Sequence, residues 1–371
     1  MIYFHIPFCR QKCSYCNFHF SVSLRDREPM LTALKMELKL RQGELQSRQL
    51  DSVYFGGGTP SLLGAAELHQ LIEETASYFS FSDDIEITVE ANPDDLTDDF
   101  LKRLSASPAN RLSIGTQSFY DADLKLMNRA HNGAEAVDSI RRAQDFGFHN
   151  ISIDLIYGTP TAESDTWQRN LDQAVGLGVP HISAYALTVE PQTALNAWIS
   201  QGKVKAPAEQ QQHDDFFYMS SFLAAQGFEH YEISNFGKPG FHSRHNSAYW
   251  QYKEYLGIGP SAHSYDGRQK RSWNVSHNRK YIDALQQHQL PLETEELSAR
   301  DRYNEMLMIG LRTRRGVDFA KLQQLMSDGR WGMVLSQYLS EGKLQLKDGY
   351  LAIPEKHWFL ADGIASDLFV V

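Results

Sequence analysis

Short apolar, β-branched or aromatic segments alternate with helical patterns through the first half of this chain of 371 residues. The apolar segments span residues 2–6, 52–55, 85–89, 112–116, 151–156 and 181–187. The helical patterns span residues 25–45, 65–78, 97–105, 135–146 and 164–177. This alternation is typical of parallel α/β units, and no G-x-G-x-x-G run follows the first strand as in a dinucleotide-binding sheet. The sequence therefore predicts an α/β fold with an incomplete parallel (β/α) barrel.

The pattern changes after residue 205. Residues 206–295 begin with a helical stretch and continue as an aromatic, glycine-rich and histidine-rich segment without a clear period. Residues 296–371 contain helical patterns over residues 299–311, 318–326 and 332–341 and then a hairpin signal at Asp348-Gly349. We therefore predict three parts: a barrel over residues 1–205, an extension over residues 206–295, and a small winged-helix-like domain over residues 296–371.

The charge balance limits the partners that the chain can have. It carries 36 Lys and Arg against 46 Asp and Glu, a net charge of −10, and an acidic chain repels the phosphates of nucleic acids. No apolar run reaches the roughly 18 residues of a membrane span, and the first residues lack the pattern of a signal peptide. We expect a cytoplasmic protein, or one bound peripherally at the inner membrane, with no nucleic-acid partner.

All three cysteines lie in one window, Cys9, Cys13 and Cys16, with the spacing C-x3-C-x2-C. Three cysteines are too few for a disulfide framework, but three close thiolates can hold zinc or an iron–sulfur cluster. Structural zinc takes four ligands, and His5 and His19 flank the run. An iron–sulfur cube held by three cysteines instead leaves one iron open to an outside ligand. Both alternatives stand at this point.

Further motifs follow the predicted strands in order. They are Tyr3-Phe4-His5-Ile6-Pro7-Phe8-Cys9, Gly56-Gly57-Gly58-Thr59-Pro60, Glu90-Ala91-Asn92-Pro93, Gly115-Thr116-Gln117-Ser118-Phe119, Asn128-Arg129 and Asp154-Leu155-Ile156-Tyr157-Gly158. Together with the cysteine run, this series resembles the branch of the radical S-adenosylmethionine (SAM) superfamily that contains coproporphyrinogen III dehydrogenase and the HemW-type heme chaperones. The ends of parallel strands are also where barrel proteins build their sites, which agrees with a site there.

The resemblance implies a 4Fe–4S cluster on Cys9, Cys13 and Cys16. It also implies SAM as a cofactor, held by residues at matching positions: Tyr3, Tyr15, Gly57, Gly58, Thr59, Glu90, Gln117, Arg129 and Asp154. From their chemistry, the glycines allow close approach of a ligand to the backbone. Glu90 could accept from an ammonium or a ribose hydroxyl, and Arg129 could bind a carboxylate.

A motif in the extension favours the chaperones over the dehydrogenase. The run His245-Asn246-Ser247-Ala248-Tyr249-Trp250 resembles the H-N-x-x-Y-W motif of HemW-type proteins and implies heme as a ligand, with His245, Tyr249 and Trp250 at the site. Imidazole ligates heme iron and aromatic rings pack the macrocycle. His263 is a weaker candidate for the same role. The cysteine run of the dehydrogenase continues with an extra cysteine, whereas here Asn17 and Phe18 follow Cys16. The dehydrogenase also has a longer N-terminal extension, which we expect this chain to lack.

The implied function is that of a heme chaperone which delivers heme to acceptor hemoproteins, such as membrane-bound respiratory enzymes. The alternatives are oxygen-independent coproporphyrinogen III dehydrogenase and, from another class, a zinc-stabilised binding module. We expect no coproporphyrinogen dehydrogenase activity, and a homodimer is left open. The cluster Arg312, Arg314 and Arg315 is expected to interact with a helix C-terminus, with membrane or partner docking as the alternative.

Overall fold

The computed structural model describes residues 1–161, 163, 165–325 and 331–370. Its main sheet has nine strands in the order β7-β8-β6-β5-β4-β3-β2-β1-β9. The strands are β1 (Ile2–Ile6), β2 (Gln49–Gly57), β3 (Ser80–Ala91), β4 (Arg111–Gln117), β5 (Asn150–Tyr157), β6 (His181–Ala186), β7 (Glu229–Glu232), β8 (Asn235–Gly237) and β9 (Leu256–Ile258).

Helices connect and cover these strands. Those before residue 290 are α1 (Arg27–Arg41), α2 (Ala65–Tyr78), α3 (Asp98–Ser105), α4 (Asp121–Leu126), α5 (Gly133–Asp145), α6 (Thr166–Gly176), α7 (Ala194–Ser200), α8 (Glu209–Ala225), α9 (Arg244–Trp250) and α10 (Asn278–Gln286). The predicted helix over residues 65–78 has these same bounds in the structure. The first residue of the predicted helix over residues 164–177 lies outside the described residues.

The six strands β1 to β6 are all parallel to one another, and β9 adds a further parallel strand beside β1. The two edge strands, β7 and β9, lie at opposite ends of the sheet order, so the sheet is open. The prediction of an incomplete parallel (β/α) barrel is confirmed. Stacked rings of Phe4 and Phe55, with centroids 4.9 Å apart, lie in the core that these strands share with the helices.

The main sheet draws strands from both sides of residue 205. Strand β8 pairs antiparallel with β6, and β9 pairs with β1 through Ile2, Tyr3 and Phe4. Strands of three residues leave too few positions for an alternating pattern to show. This is why the region over residues 231–273 has no clear period in the sequence although it contributes to the sheet.

A buried ion pair within α1 contacts β9 and the chain that follows it. Arg41 donates to Glu37 at 2.8 Å, and both side chains are fully buried. Arg41 also donates to the carbonyl of Gly257, while Glu37 accepts from the side-chain amide of Asn274. The residues around 257–274 are therefore fixed against the barrel by charge-assisted hydrogen bonds.

Two small sheets follow. The first contains β10 (His263–Tyr265), β11 (Lys270–Asn274) and β12 (Leu292–Glu296), and the second contains β13 (Val317–Asp318), β14 (Gln345–Lys347) and β15 (Tyr350–Ala352). The helices near the second sheet are α11 (Ala299–Gly310), α12 (Phe319–Leu325), α13 (Trp331–Ser340) and α14 (Ala361–Asp367). The helices and the hairpin β14–β15 match the predicted pattern, except that residue 326 of the predicted helix over 318–326 lies outside the described residues.

The helices of the described residues give no sign of a membrane span. None of them combines the length and the apolar character that crossing a bilayer requires.

Candidate cluster and cofactor site

The three cysteines lie in the loop between β1 and α1, and this loop folds back on itself. The backbone N–H of Cys9 donates to the carbonyl of Ser21 at 3.0 Å. Ser14 fixes the middle of the loop, because its hydroxyl donates to the carbonyl of Leu126 at 2.7 Å and its N–H donates to the carbonyl of Met127. The loop is thereby held against the chain that follows β4, and all three thiols are half-buried.

A cavity of about 620 Å³ opens between this loop and the carboxyl ends of the barrel strands. Its wall contains all three cysteines and most of the residues that the sequence assigned to SAM. The residues in both sets are Cys9, Cys13, Tyr15, Cys16, Gly57, Gly58, Thr59, Glu90, Gln117, Arg129 and Asp154. Residues that are up to 145 positions apart in the chain therefore meet around one space, although their contacts with cofactors remain predictions.

Arg129 occupies the centre of this wall. Its Nη2 donates to Asn92 Oδ1 at 2.5 Å and to the carbonyl of Gly115 at 2.7 Å, and its Nη1 lies 3.2 Å from the sulfur of Cys13. Its Nε is buried without a hydrogen-bond partner. A buried cation with a donor still unused beside the cavity is suited to an anionic ligand group, such as a carboxylate.

Two buried carboxylates lie across the cavity from the loop. Burial raises the pKa of Glu90 to about 7 and that of Asp154 to about 6. Tyr54 donates to Glu90 at 2.7 Å, and Ser113 donates to Asp154 at 3.4 Å. A ligand cation placed between them would favour the ionised carboxylates, because opposite charge offsets the cost of burial.

The glycines at 57 and 58 are required by close contacts between β2 and the end of β1. A Cβ at position 57 would lie 2.4 Å from Nδ1 of His5, and one at position 58 would lie 2.5 Å from the carbonyl oxygen of Phe8. Gly57 also has a φ of 102°, which side-chain-bearing residues avoid. A side chain at 57 would therefore displace the ring of His5.

Backbone conformation is also unusual where β4 ends. Gln117 has a φ of 66°, and the pairing of β4 with β5 shifts register between Ile114 and Gln117. Asn128, next to Arg129, has a φ of 53°. Non-glycine residues in the left-handed region are concentrated at functional sites, and both of these residues line the cavity.

The donor set around the cavity fits an iron–sulfur cluster. Burial raises the pKa of Cys9 to about 11 and also raises the pKa of the Cys16 thiol. Buried thiols of this kind need a metal to hold them as thiolates. Three sulfurs and no fourth cysteine leave one iron of a 4Fe–4S cluster without a protein ligand. Cys9, Cys13 and Cys16 would hold the cluster, which supplies an iron with an open coordination position when bound.

The two histidines of the zinc alternative are engaged elsewhere. His5 Nε2 lies 2.9 Å from the carbonyl of His19 and its Nδ1 lies 3.3 Å from the hydroxyl of Tyr3, while His19 Nε2 lies 2.7 Å from Asn278 Oδ1. Neither histidine lines the cavity. In the part of the chain that the structure describes, no three His, Cys, Asp or Glu side chains converge as a single metal ion requires. Both histidines are therefore engaged away from the cysteines in the structure, whereas the cluster alternative needs only the three thiols.

Some lining residues were missed by the sequence reasoning, and one predicted contact lies outside the cavity wall. Ser113 and Tyr185 line the cavity, whereas Tyr3 does not. Ser113 lies two and four positions before Gly115 and Gln117 on β4, so period-2 spacing could have indicated it. Tyr185 is 45% exposed near the end of β6, and a strand-end aromatic residue there was the available signal.

His245 lies in the protein interior and does not line the cavity beside the cysteine loop. It is 1% exposed, its Nδ1 is 2.9 Å from the hydroxyl of Ser52, and its Nε2 is 3.2 Å from the hydroxyl of Tyr249. Burial lowers the pKa of His245 to about 3. With both ring nitrogens engaged, this imidazole is not free to ligate iron in the structure, and its role in heme binding stays a prediction.

The other two residues of that motif have different environments. Tyr249 packs edge-on against the rings of His245 and Tyr255, whereas Trp250, at the end of α9, lines a second and larger cavity of about 990 Å³. His263 packs against Trp273, with ring centroids 5.8 Å apart, and lies outside both of these cavities. The motif is thus divided between the core and the second cavity.

Comparison with known proteins agrees with the site. Residues 3–174 match the radical SAM superfamily model, and residues 297–360 match the model of the HemN C-terminal domain. The heme chaperone HemW of Mycobacterium tuberculosis is 34% identical over 99% of this chain and 94% of its own length. The chain belongs to the HemW family. HemW proteins of Bacillus subtilis (34% identity, 92% of this chain, 91% of that protein) and Lactococcus lactis (36%, 86% and 83%) are similarly related.

A solved structure shows the same fold. Coproporphyrinogen III oxidase (HemN) from Escherichia coli, a radical SAM enzyme, superposes with a TM-score of 0.84 at 23% identity, over 99% of this chain and 89% of the other. At this identity, the likeness supports the fold alone. Membership of the HemW family within the radical SAM superfamily implies a 4Fe–4S cluster and SAM, and the cavity beside the cysteine loop is where the residues for both are gathered.

Proposed function

We propose that this chain binds heme as well as a 4Fe–4S cluster and SAM, and that it passes the heme to acceptor hemoproteins such as respiratory enzymes. The observation that carries the proposal is the extent of the match to proteins named heme chaperone HemW. It covers 99% of the chain, and therefore includes both the cysteine loop and the helix α9 with its His245 motif.

The geometry supports two separate ligand sites in this proposal. The cysteine loop, Arg129, Glu90 and Asp154 surround the smaller cavity. Trp250, in the H-N-x-x-Y-W motif, lines the larger cavity together with residues of the C-terminal part. A protein that keeps its cofactors but releases heme needs separate sites for them, because the departure of heme must not displace the cofactors.

Anaerobic reconstitution followed by heme titration tests the proposal. The wild-type protein should retain its iron–sulfur absorbance and show a Soret band that saturates at one heme per chain. Heme should then move to an apo-hemoprotein, such as the apo form of a respiratory b-type cytochrome, faster than free heme enters that acceptor. A protein that takes up no heme, or that never releases it to the acceptor, would contradict the proposal.

Oxygen-independent coproporphyrinogen III dehydrogenase is the alternative. It is favoured by the match of residues 297–360 to the HemN C-terminal domain. Against it stands Asn17-Phe18 directly after Cys16, where the dehydrogenase run would carry its extra cysteine. Incubation of the same reconstituted preparation with coproporphyrinogen III, SAM and a reductant separates the two, because only the enzyme would yield a decarboxylated product.

The site of action and the assembly state belong to the same proposal. A chaperone for respiratory enzymes would meet its acceptors at the inner membrane while it remains a peripheral, cytoplasmic protein. Sedimentation of the purified protein with and without inverted membrane vesicles tests this location. Light scattering with and without heme tests whether the chain forms a homodimer.

A further inference from the structure

The larger cavity, of about 990 Å³, lies between α9 and the C-terminal part of the chain. Trp250 and Tyr252 border it on the barrel side, and Met306, Ile309 and Tyr350 border it on the other side. Its volume is at the upper end of the roughly 300–1,000 Å³ of small-molecule sites. Aromatic and aliphatic walls at this size suit a large, flat and mainly apolar ligand.

Cations line this cavity, although the chain as a whole is acidic. The chain has a net charge of −10, yet among the described residues of the cavity wall Asp318 is the only acidic one. The basic residues in the wall are Lys253, Arg268, Arg302, Arg314, Arg315 and Lys321. A positive and partly apolar cavity in a negative protein selects ligands that carry carboxylate or phosphate groups on an apolar body.

Several hydrogen-bond donors at the cavity are unused. Trp250 Nε1 and Arg302 Nε are both buried without a hydrogen-bond partner. In the described part of the chain, the guanidinium of Arg314 makes no ion pair, whereas Arg315 bonds to the hydroxyl of Tyr350 and stacks on its ring at 4.5 Å. Buried donors without partners are costly in a folded protein, so a ligand that supplied acceptors here would be favoured.

One imidazole at the cavity edge is available to a metal. His242 has a side chain that is 34% exposed, its ring stacks on Tyr231 with centroids 4.1 Å apart, and its Nε2 lies 2.9 Å from Glu229 Oε2. The short distance to Glu229 makes an ion pair when the ring is protonated, but Nε2 forms no hydrogen bond of good geometry within the described residues. Nδ1 makes no hydrogen bond within the described residues, which distinguishes His242 from the fully engaged His245.

We infer that this cavity is the heme site, with His242 as the imidazole offered to the iron and Arg302 and Arg314 as the partners of the two propionates. The inference rests on the proposed function for the identity of the ligand. The macrocycle would lie against Trp250 and Tyr252, on the far side of α9 from the core position of His245. The H-N-x-x-Y-W motif would then contribute through Trp250 and through the packing of α9.

Heme titration of paired variants tests the iron ligand. His242→Ala should shift the Soret maximum of bound heme and weaken binding at least tenfold, while the iron–sulfur absorbance is unchanged. The control His69→Ala removes a surface imidazole that is 39% exposed and should change neither. His245→Gln removes the buried imidazole and should leave the Soret maximum in place in any fraction that folds. A Soret shift in His245→Gln with none in His242→Ala would overturn the inference.

Iron-free protoporphyrin IX and heme dimethyl ester test whether Arg302 and Arg314 bind the two propionates. Arg302→Gln/Arg314→Gln should weaken binding of heme and of protoporphyrin IX at least tenfold, but should change binding of the dimethyl ester less than twofold, because the ester has no free carboxylates. Arg103→Gln/Arg279→Gln is the matched control, since both arginines are exposed and form local pairs. Equal losses for acid and ester, or none for either, would exclude a carboxylate role for this pair.

The two proposals fail in distinguishable ways. If the wild-type protein binds no heme, the proposed function fails. If the wild-type protein binds heme and all the cavity variants bind it equally well, only the placement of heme in this cavity fails. Quenching of Trp250 gives an independent check, because heme should quench the fluorescence of the wild-type protein more than that of Trp250→Phe.

Discussion

The guanidinium of Arg129 lies 3.2 Å from the sulfur of Cys13, although the two residues are 116 positions apart. The other end of the guanidinium bonds to Asn92 and to the carbonyl of Gly115. One side chain therefore joins the cysteine loop to the ends of β3 and β4. Its positive charge is held beside a thiol at the place where a negatively charged cluster would be bound.

Arg129→Met tests whether this side chain is needed for SAM binding. The variant loses the partner for a ligand carboxylate, so the affinity for SAM should fall at least tenfold in titration calorimetry of the reconstituted protein. Arg103→Met is the control, because Arg103 is 63% exposed and pairs only with Asp99. Equal SAM affinity in Arg129→Met and the wild-type protein would contradict the role in binding.

Removal of any one cysteine should prevent cluster assembly. Cys9→Ala, Cys13→Ala and Cys16→Ala should each retain far fewer than the roughly four irons and four sulfides of a complete cluster. SAM should alter the EPR spectrum of the reduced wild-type protein, because it binds the open iron. Stoichiometric zinc without sulfide in the wild-type protein would instead support the zinc-stabilised module. Iron, sulfide and zinc analysis of protein purified without oxygen provides the measurement.

The binding of SAM should weaken as the pH falls. Burial raises the pKa of Glu90 to about 7, so this carboxyl group takes up a proton as the pH drops through 7. SAM carries a cationic sulfonium and an ammonium group, which favour the ionised form. The affinity should therefore fall about tenfold between pH 8 and pH 6, as expected for one group that must lose a proton before binding.

Glu90→Gln is the control for this pH dependence. Glutamine keeps the size of the side chain and the acceptor for Tyr54 but cannot titrate, so its affinity should be low and nearly constant between pH 8 and pH 6. Asp154, with a pKa of about 6, should add a further decline at lower pH in both proteins. A wild-type affinity that does not vary from pH 8 to pH 6 would exclude Glu90 as a partner of the ligand cation.

The sequence was informative wherever long periodic segments or strand-end motifs were present. The six parallel strands could be predicted because buried strands of five or more residues stand out between amphipathic helices. The lining of the smaller cavity could be predicted because parallel strands bring their carboxyl ends to one edge. Gly57, Glu90, Gln117 and Asp154 meet there for this reason.

Other features of the fold and the site depend on contacts between residues far apart in the chain, which no local sequence pattern reveals. Strand β9 has three residues and joins the sheet beside β1, and its partner lies more than 250 positions away. His245 is a candidate ligand through its resemblance to the H-N-x-x-Y-W motif, and nothing local in the sequence indicated that its ring would pack against those of Tyr54 and Tyr249. A buried histidine and a ligand histidine have the same local sequence, and only the hydrogen bonds of the ring distinguish them.

Gly58→Ala should disturb the cysteine loop through its close contacts with the backbone at the end of β1. The added Cβ would lie 2.5 Å from the carbonyl oxygen of Phe8 and 2.7 Å from that of Ile6, so the end of β1 must move. We expect a loss of stability of about 1–3 kcal/mol and a lower yield of reconstituted cluster. Gly176→Ala is the control, since a Cβ there would meet no atom within 4 Å. Equal melting temperatures and iron contents in the two variants would refute this prediction.

Glu37→Gln should destabilise the attachment of the 257–281 region to the barrel. Glu37 is fully buried and accepts from Arg41, Asn274, the N–H of Gly259 and the hydroxyl of Tyr281. With glutamine there, Arg41 still pairs with Glu44, which accepts from its Nε and Nη2, but a neutral amide cannot accept from all four donors, and leaving buried donors unsatisfied costs about 1–3 kcal/mol. Urea unfolding should show that loss, against less than about 1 kcal/mol for Asp99→Asn, which breaks an exposed pair.

The double variant Glu37→Gln/Arg41→Met identifies the cause of that loss. Methionine has a length similar to that of the arginine stem and carries no charge, so the double variant should be more stable than Glu37→Gln alone. This follows because the single variant leaves the buried guanidinium with the half-exposed Glu44 in place of two carboxylate partners, whereas the double variant removes that buried charge. If the double variant were less stable than the single variant, the hydrogen bonds of Arg41 to the Gly257 carbonyl and Ser264 would be the main contribution, and the ion pair would be secondary.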